Sequence, residues 1–226
     1  MTRLPALAVM ARAPGSETVK SRLHAALGVA PATLLYRCFL LDGLEAAIAL
    51  PGLVPVLAYS PPRALRAMAA LAPPGLRLVA QRGGDLGARM ARLVAGLLAD
   101  GHRAALLVGS DLPTLPSAYL AEAAQVLAEG AADVVLGPAE DGGYYLIGLA
   151  QPAPALFEGV AWGTDGVLEA TRARARALGL REHLLPLWYD VDTAADLDRL
   201  RRDLAPPGPG APRTRRWLAA FAPARA

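Results

Sequence analysis

Three aspartates follow two apolar segments of the sequence and have the spacing of a cation site. Asp190 and Asp192 are two residues apart in a segment that is expected to be extended, so their side chains project to the same side. Paired carboxylates repel each other unless a cation or hydrogen bonds neutralise them, which favours a metal site. Asp111 directly follows the apolar run 104–108, where a carboxylate at the mouth of a parallel sheet can hold a hard divalent cation. Two simpler alternatives stay open: Asp111 caps the turn before Pro113, and one aspartate of the pair caps the next helix.

The loop after the first apolar segment carries the single lysine of the chain. Lysine and arginine together number 23, and all of these residues except Lys20 are arginine. Lys20 and Arg22 stand just beyond a glycine-containing turn, where backbone N–H groups and two cations can bind phosphate. The loop is not a Walker loop, because Pro14 and Val19 occupy both glycine positions before Lys20, and it is not a G-x-G-x-x-G fingerprint. The alternative is a surface loop with two solvated cations, but the position of the lone lysine favours phosphate binding.

Two further segments combine glycine with acidic side chains. In residues 81–90 the glycines around Asp85 allow the backbone to approach a planar ligand closely, although Asp85 is more simply the N-cap of the next helix. In residues 137–145, Asp141 can accept hydrogen bonds from sugar or acceptor hydroxyls, and two tyrosines offer apolar faces. A β-turn with core tyrosines explains the second segment equally well. A third segment, 162–165, introduces a helix with Thr164 or Asp165 as its expected cap.

These residues require a scaffold in which short strands alternate with helices. Strands are predicted at 4–10, 54–59, 76–80, 104–108, 133–136, 144–149 and 184–188, and helices at 32–50, 62–71, 86–99, 117–129, 165–178 and 194–203. Such alternation indicates βαβ units and a mixed, mostly parallel sheet flanked by helices. Two runs, 106–108 and 134–136, are continuously apolar, as in central strands covered on both faces. Ligands then bind at the carboxyl ends of the strands, which is where the polar segments stand.

Length and composition predict one large folded unit followed by a tail. The 226 residues are 54% hydrophobic with a mean hydropathy of +0.32, so a sizeable core can form. Residues 1–205 are predicted to be the catalytic domain, and 206–226 a Pro/Gly linker with a basic C-terminal tail. The sequence does not decide whether this tail packs on the domain or serves a partner. Thr193, with Asp196 three residues later, predicts a capping box for the last helix of the domain.

Several classes of protein are disfavoured. The longest uncharged stretch is interrupted by prolines and is too short to span a membrane, and no signal peptide is recognisable. Cys38 lies in an apolar helical pattern and is expected to be a buried small hydrophobe. A net charge of +3 is too small to predict a nucleic-acid partner, and Ser110 lacks the G-x-S-x-G elbow of a hydrolase. The expected location is the cytoplasm, and the oligomeric state stays open.

The order of these segments is more specific than any one of them. The chain resembles a bacterial family of small glycosyltransferases related to phospholactate guanylyltransferase and molybdenum-cofactor guanylyltransferase, within the nucleotide-diphospho-sugar transferase superfamily. The resemblance runs from about residue 4 to residue 200 and rests on segments 13–15, 19–23, 85–90, 109–113, 137–145, 162–165 and 190–193. It implies a glycosyltransferase A-type fold. One departure stands out: Ser110-Asp111 occupies the position of the Asp-x-Asp motif that many sugar transferases carry.

The resemblance also implies roles for individual residues. Catalysis is assigned to Asp111, Asp141 and Lys20, and a Mg²⁺ or Mn²⁺ ion to Asp111, Asp190 and Asp192. The residues assigned to the nucleotide are Ala11, Arg12, Pro14, Gly15, Lys20, Arg22, Gln81, Gly83, Asp85, Leu86, Arg89 and Ser110. The residues assigned to the second substrate are Glu140, Asp141, Gly142, Gly143, Tyr144, Thr164 and Asp165.

The predicted activity is a metal-dependent transfer from a nucleotide-sugar donor to a small-molecule acceptor. Lys20, Arg22 and the cation would stabilise negative charge on a phosphate leaving group, while Asp141 or Glu140 orients or deprotonates an acceptor hydroxyl. The alternative is nucleotidyl transfer from a nucleoside triphosphate, which releases pyrophosphate and requires two metal ions. A nucleotide-binding module without turnover is a third, weaker hypothesis. Neither a nucleic acid nor a membrane is expected as a partner.

Overall fold

A seven-stranded sheet forms the centre of the computed structural model, which describes residues 3–15 and 18–221. Its strands are β1 (Ala6–Arg12), β2 (Val54–Ser60), β3 (Arg77–Ala80), β4 (Ala105–Gly109), β5 (Val134–Pro138), β6 (Tyr144–Leu149) and β7 (Glu182–Leu184). They lie in the order β3-β2-β1-β4-β6-β5-β7. All neighbours pair in parallel except β6, which is antiparallel to both β4 and β5. The predicted mixed, mostly parallel α/β sheet is confirmed.

Eight α-helices are present within the described residues. They are α1 (His24–Leu27), α2 (Val29–Ala49), α3 (Leu65–Leu71), α4 (Leu86–Ala99), α5 (Ser117–Ala128), α6 (Val167–Ala177), α7 (Ala194–Asp203) and α8 (Pro212–Ala220). Short 3-10 turns at Ser21–Leu23, Pro62–Ala64 and Pro154–Phe157 join them. None of the helices described is long and apolar enough to cross a membrane.

The two faces of the sheet bury separate apolar clusters. Leu7 and Val9 of β1 belong to the cluster that includes residues of α2 and α5, whereas Ala6 and Ala8 belong to the cluster that includes residues of α4. This split follows from the two-residue period of a strand. The continuously apolar runs in β4 and β5 are buried throughout, as their composition predicts.

The topology brings several strand ends to one edge of the sheet. Because β1 to β4 are parallel, their carboxyl ends at Arg12, Ser60, Ala80 and Gly109 lie along the same edge. The antiparallel β6 begins at that edge, and its first residue is Tyr144. The polar segments that follow these strands are therefore gathered on one side of the molecule.

Several predicted boundaries are wrong, and each has a local cause. The first strand begins at Ala6, two residues later than predicted, after Pro5, which has no N–H to donate to a ladder. The last strand is Glu182–Leu184 rather than 184–188, because the chain leaves the sheet before Pro186 and makes only a single bridge at Trp188. Thr164 and Asp165 do not cap α6, which starts at Val167 after Gly166 without a side-chain cap.

Two predicted helix caps are confirmed. The Asp85 side chain accepts a hydrogen bond from the Ala88 N–H at 2.7 Å, so this aspartate is the N-cap of α4. Thr193 and Asp196 form the predicted capping box at the start of α7. Each cap satisfies backbone N–H groups that would otherwise have no partner inside the helix.

The C-terminal tail packs on the domain through helix α8. The carboxylate of the buried Asp42 on α2 accepts hydrogen bonds from the Thr214 hydroxyl (2.7 Å) and the Thr214 N–H (2.8 Å). Arg213 bonds to both oxygens of Glu45, also on α2. Arg213, one of the basic residues of this tail, thus forms ion pairs with α2.

Candidate functional site

A cavity of about 630 Å³ opens at the edge of the sheet where the carboxyl ends of β1 to β4 meet. Its walls come from the first loop, from residues 81–90, from the end of β4 and from the start of β6. Twelve of the residues assigned above line it: Ala11, Arg12, Lys20, Arg22, Gln81, Asp85, Leu86, Arg89, Ser110, Asp111, Tyr144 and Asp192. This volume is within the range of small-molecule and cofactor pockets.

Tyr36 joins two loops of the cavity and was not singled out from the sequence. Its hydroxyl accepts a hydrogen bond from the Arg12 N–H at 2.9 Å, donates one to the Arg12 carbonyl at 3.0 Å and lies 3.1 Å from the Ser110 hydroxyl. The ring is buried, and burial raises the pKa of the phenol, with a further rise from nearby Asp111. The sequence offered only a weak indication of this role, because a tyrosine on the apolar face of a helix resembles an ordinary core residue.

Lys20 lies between two of the predicted metal ligands. Its ammonium is 2.9 Å from the Asp111 carboxylate and 2.7 Å from the Asp192 carboxylate, and its side chain is only 2% exposed. Burial on its own lowers the pKa of Lys20, but the two carboxylates outweigh it and the pKa is raised above its usual value. Lys20 is therefore a charged, desolvated cation at the end of the cavity where Asp111 stands.

The segment after β7 supplies the acidic partner of this lysine. The Val191 N–H donates to the Asp111 carbonyl at 3.1 Å, which fixes the segment against the loop after β4. Burial raises the pKa of Asp190 to about 7, and the carboxylates of Asp111, Asp192 and Asp141 add to the rise. These four carboxylates therefore form one region of negative potential, and Lys20 is the cation that opposes it at Asp190.

The acidic region has the chemistry of a magnesium or manganese site. Asp111 has one buried carboxylate oxygen, Oδ1, without a hydrogen-bond partner. This oxygen is therefore available to a cation or a hydrogen-bond donor. Within residues 3–15 and 18–221 no three acidic, histidine or cysteine side chains are arranged to hold a metal by themselves. Mg²⁺ does not need such a cage, because it is commonly bound by one or two carboxylates together with water and substrate phosphates. Asp111 and Asp192 fit that arrangement.

The segment 81–90 forms the opposite wall of the cavity. The Gln81 amide donates to the carbonyls of Ala58 (2.7 Å) and Ala11 (3.3 Å), so it ties the ends of β2 and β1 together. Leu86 lines the cavity and is 44% exposed, which leaves an apolar surface at the opening. Gly87 has no space for a side chain, since a Cβ there would lie 2.7 Å from the Trp162 ring.

The loop between β5 and β6 lies outside the cavity lining, which resumes at Tyr144, the first residue of β6. Glu140 accepts hydrogen bonds from Arg199 on both oxygens at 2.8 Å, and the guanidinium stacks 3.7 Å from the Tyr189 ring. Asp141 accepts a hydrogen bond from the Gly143 N–H at 2.9 Å, which stabilises a tight turn. Glu140 is thus engaged by a guanidinium and does not line the cavity. Arg199, which binds it, was missed in the sequence.

The structure does not gather every residue assigned from the sequence around the cavity. The residues that do not line it are Pro14, Gly15, Gly83, Glu140, Asp141, Gly142, Gly143, Thr164, Asp165 and Asp190. Gly142 packs against the backbone of Asp165, so two of the proposed substrate segments do touch each other. Asp141 and Asp190 remain close enough for their charges to interact.

One end of the cavity, bordered by Arg12, Arg22 and Asp111, is polar, and the wall formed by residues 81–90 combines the apolar Leu86 with polar side chains. Arg12 and Arg22 are exposed, and among the described residues neither side chain forms an ion pair with a carboxylate. Arginines without an acidic partner can bind phosphate oxygens in bidentate geometry. Next to them stand carboxylates suited to a divalent cation, and across the cavity stand Leu86 and Gln81. This arrangement suits a ligand that carries both a diphosphate and a planar base.

A solved structure with substantial sequence identity shares this fold over nearly the full length. It comes from Desulfovibrio desulfuricans G20 and is described as a "putative nucleotide-diphospho-sugar transferase". The two chains are 32% identical with a TM-score of 0.88, over 96% of this chain and 94% of that one. The predicted transferase class agrees with this description.

Two more distant structures show the same fold. CMP:2-keto-3-deoxy-manno-octonic acid synthetase, complexed with CTP, is 13% identical with a TM-score of 0.57, over 89% of this chain and 98% of that one. Molybdopterin-guanine dinucleotide biosynthesis protein A from Archaeoglobus fulgidus is 14% identical with a TM-score of 0.56, over 88% and 98%. At these identities the likeness concerns the fold alone.

The family comparison covers the middle of the chain. A search of curated proteins gave no match. One family model matches residues 43–164, more than half of the sequence, and this span includes β4, Asp111 and the loop between β5 and β6. The chain belongs to this bacterial family, described as "Uncharacterized protein conserved in bacteria (DUF2064)", and it has the nucleotide-diphospho-sugar transferase fold.

Proposed function

We propose that the protein is a metal-dependent transferase that takes a nucleotide-sugar donor and passes the sugar to a small-molecule acceptor. The observation that carries the proposal is the cavity at the carboxyl edge of the sheet, where Lys20, Asp111 and Asp192 meet. The D. desulfuricans relative, 32% identical over almost the whole chain, supports the same class of reaction. In open α/β sheets this edge is also where ligands generally bind.

The donor's diphosphate would bind at the polar end of the cavity. Arg12 and Arg22 are exposed there and can donate hydrogen bonds to phosphate oxygens. Asp111 and Asp192 would hold a Mg²⁺ or Mn²⁺ ion, which when bound stabilises negative charge on the departing diphosphate. The Tyr36 hydroxyl contacts both the Arg12 N–H and the Ser110 hydroxyl, and so keeps these two residues next to each other at the polar end. The chain's own contribution is thus a pre-arranged set of charges and donors.

The base of the donor would lie against residues 81–90. Leu86 offers an apolar surface at the cavity mouth, and the Gln81 amide nitrogen is fixed by two backbone carbonyls. With its nitrogen fixed, Gln81 has its carbonyl oxygen left to accept a hydrogen bond from a base. Asp85 caps α4 and so holds this wall in place.

The acceptor would approach from the side of Asp141 and Asp190. The loop between β5 and β6 carries Asp141, whose charge reaches Asp190. Asp141 is not ion-paired among the described residues, whereas Glu140 is bound to Arg199. Asp141 is therefore the better candidate to orient an acceptor hydroxyl.

Nucleotidyl transfer is the second candidate. Three cations, Arg12, Lys20 and Arg22, border the polar end of the cavity, and this is enough positive charge for a triphosphate. Nucleotidyl transfer would, however, need two metal ions at the carboxylates, whereas the pair Asp111 and Asp192 suits a single ion. That observation favours the sugar donor.

The two candidates differ in the product that leaves the donor. The protein would be incubated with Mn²⁺ and either labelled nucleotide sugars or labelled nucleoside triphosphates, together with a panel of acceptors. Release of nucleoside diphosphate from a nucleotide sugar is expected. Release of pyrophosphate from a triphosphate alone would replace the sugar-transfer assignment with nucleotidyl transfer.

A matched pair of variants ties the activity to the cavity. Asp111→Asn should lower turnover at least about a hundredfold, as expected when a group that stabilises developing charge is removed. Asp198→Asn changes the same charge on the exposed side of α7, where Asp198 pairs with Arg201, and should leave turnover unchanged. Equal rates for the two variants would contradict the assignment of the site.

A further inference from the structure

Lys20 is held in place by both its backbone and its side chain. Its backbone is in the left-handed region with φ 52° and ψ 38°, an uncommon conformation for a residue other than glycine. Its carbonyl accepts a hydrogen bond from the Leu23 N–H at 2.9 Å, and its ammonium lies 5.9 Å from the centre of the Phe39 ring. The position of the ammonium is therefore a built feature of the loop.

The ammonium occupies the gap between the two carboxylates that suit a divalent cation. It lies 2.9 Å from Asp111 and 2.7 Å from Asp192, so it contacts one oxygen of each. A metal ion bound by the same two carboxylates would lie next to the ammonium, and like charges at such a distance in a partly buried site repel each other. The two cations cannot share the gap.

The charge balance around the gap favours replacement of the lysine by a doubly charged ion. The two carboxylates that flank the gap, Asp111 and Asp192, face a single ammonium, that of Lys20. Asp111 also has a buried oxygen without a partner while Lys20 is in place. One ammonium therefore leaves the region under-neutralised. Lysine has a flexible stem of four carbons, so its ammonium can swing into the adjoining cavity once displaced.

We infer that Lys20 and the divalent cation compete for Asp111 and Asp192, so that Lys20 sets the metal affinity of the site. This inference rests on the proposed function, because it takes these two carboxylates as the metal ligands. In the metal-free protein Lys20 is the internal counter-ion of the acidic region. When the cation binds, the ammonium is released towards the place where the donor phosphates would lie. Binding of the metal thereby makes the Lys20 ammonium available to the donor phosphates.

The competition predicts that removal of the Lys20 ammonium strengthens metal binding. A lysine that only binds phosphate would have no effect on metal binding in the absence of nucleotide. A competing lysine lowers metal affinity, so Lys20→Met should bind Mn²⁺ at least about tenfold more tightly than the wild type, given the strength of charge repulsion in a partly buried site. Arg22→Met removes the same charge from the same loop, but Arg22 forms no ion pair with the two aspartates, so its Mn²⁺ affinity should equal that of the wild type.

The wild-type protein can report the displacement directly, because Lys20 is its only lysine. Protein grown with lysine labelled at Cε and Nζ gives a single side-chain signal in an NMR spectrum. Titration with Mg²⁺, without nucleotide, should shift this signal in a saturable manner as the ammonium leaves the two carboxylates. The midpoint should agree with the Mg²⁺ affinity measured by calorimetry on the same protein. This measurement needs no mutant and is unaffected if Lys20→Met folds poorly.

The outcomes separate this inference from the proposed function. If divalent ions bind and Asp111→Asn abolishes binding, but the Lys20 signal does not move and Lys20→Met binds no more tightly, the competition is wrong while the metal site stands. If neither the wild type nor Lys20→Met binds Mn²⁺, the metal site itself is wrong and the competition fails with it. A saturable shift together with tighter binding by Lys20→Met supports both.

Discussion

Removal of the Tyr36 hydroxyl tests how the cavity is held together. This hydroxyl bonds to the N–H and the carbonyl of Arg12 and lies within hydrogen-bond distance of Ser110, so it connects the end of β1 with the loop after β4. Tyr36→Phe keeps the ring in the core and deletes only these contacts. The substitution creates no cavity larger than the missing oxygen.

The expected loss can be worked out from the contacts. A protein hydrogen bond contributes about 1 kcal/mol net, so three contacts give about 3 kcal/mol. Water from the adjoining cavity can replace part of them, which lowers the expected loss to about 2 kcal/mol. For a chain of this length, that corresponds to a fall in melting temperature of about 4–8 °C.

Denaturant unfolding of Tyr36→Phe beside a matched variant checks this value. Tyr59 lies on the neighbouring strand β2 and is also buried, but its hydroxyl forms no hydrogen bond among the described residues. Tyr59→Phe should therefore stay within about 0.5 kcal/mol of the wild type. If the two variants lose the same amount, the hydroxyl of Tyr36 does not hold the two loops together and the reasoning fails.

Two other substitutions test packing beside the site and at the tail. Gly142 and Gly163 share a φ of +85°, but a Cβ at Gly142 would lie 2.0 Å from the Asp165 carbonyl oxygen, whereas none of the described atoms lies within 4 Å of a Cβ at Gly163. In urea unfolding, Gly142→Ala should therefore lose at least about 2 kcal/mol more stability than Gly163→Ala; equal losses would refute the close approach. Thr214→Val removes a buried hydrogen bond to the Asp42 carboxylate and should cost about 2 kcal/mol. Limited proteolysis should then cut residues 206–211 faster than in the wild type, and an unchanged cleavage rate would show that this bond does not anchor α8.

The strands and caps were largely predictable because their signals are local. The apolar runs of β4 and β5 are short and uninterrupted, and the cap residues stand directly before their helices. The last strand was misplaced because 184–188 is apolar in sequence, yet Leu187 is exposed and Pro186 cannot donate to a ladder. Helix α8 was not predicted, since what fixes it is Asp42 on another helix.

The residue types of the site were predictable, but its pairings were not. The order of polar segments after strands pointed to Lys20, Asp111 and Asp192, which now lie within one cavity. The contact between Lys20 and Asp192 could not be predicted, because the two residues are 172 positions apart in the chain. Tyr36 and Arg199 were missed for the same reason: each acts through a partner that only the fold brings close. Whether these residues bind nucleotide and metal remains a prediction.

The most direct test of the account is a crystal structure of the protein soaked with Mn²⁺ and a nucleoside diphosphate, with the metal located by anomalous scattering. The account predicts a manganese ion bound by Asp111 and Asp192, the diphosphate beside Arg12 and Arg22, and the base against Leu86. It also predicts that the Lys20 ammonium has left the two carboxylates. A nucleotide bound outside this cavity, or manganese bound away from Asp111 and Asp192, would contradict it.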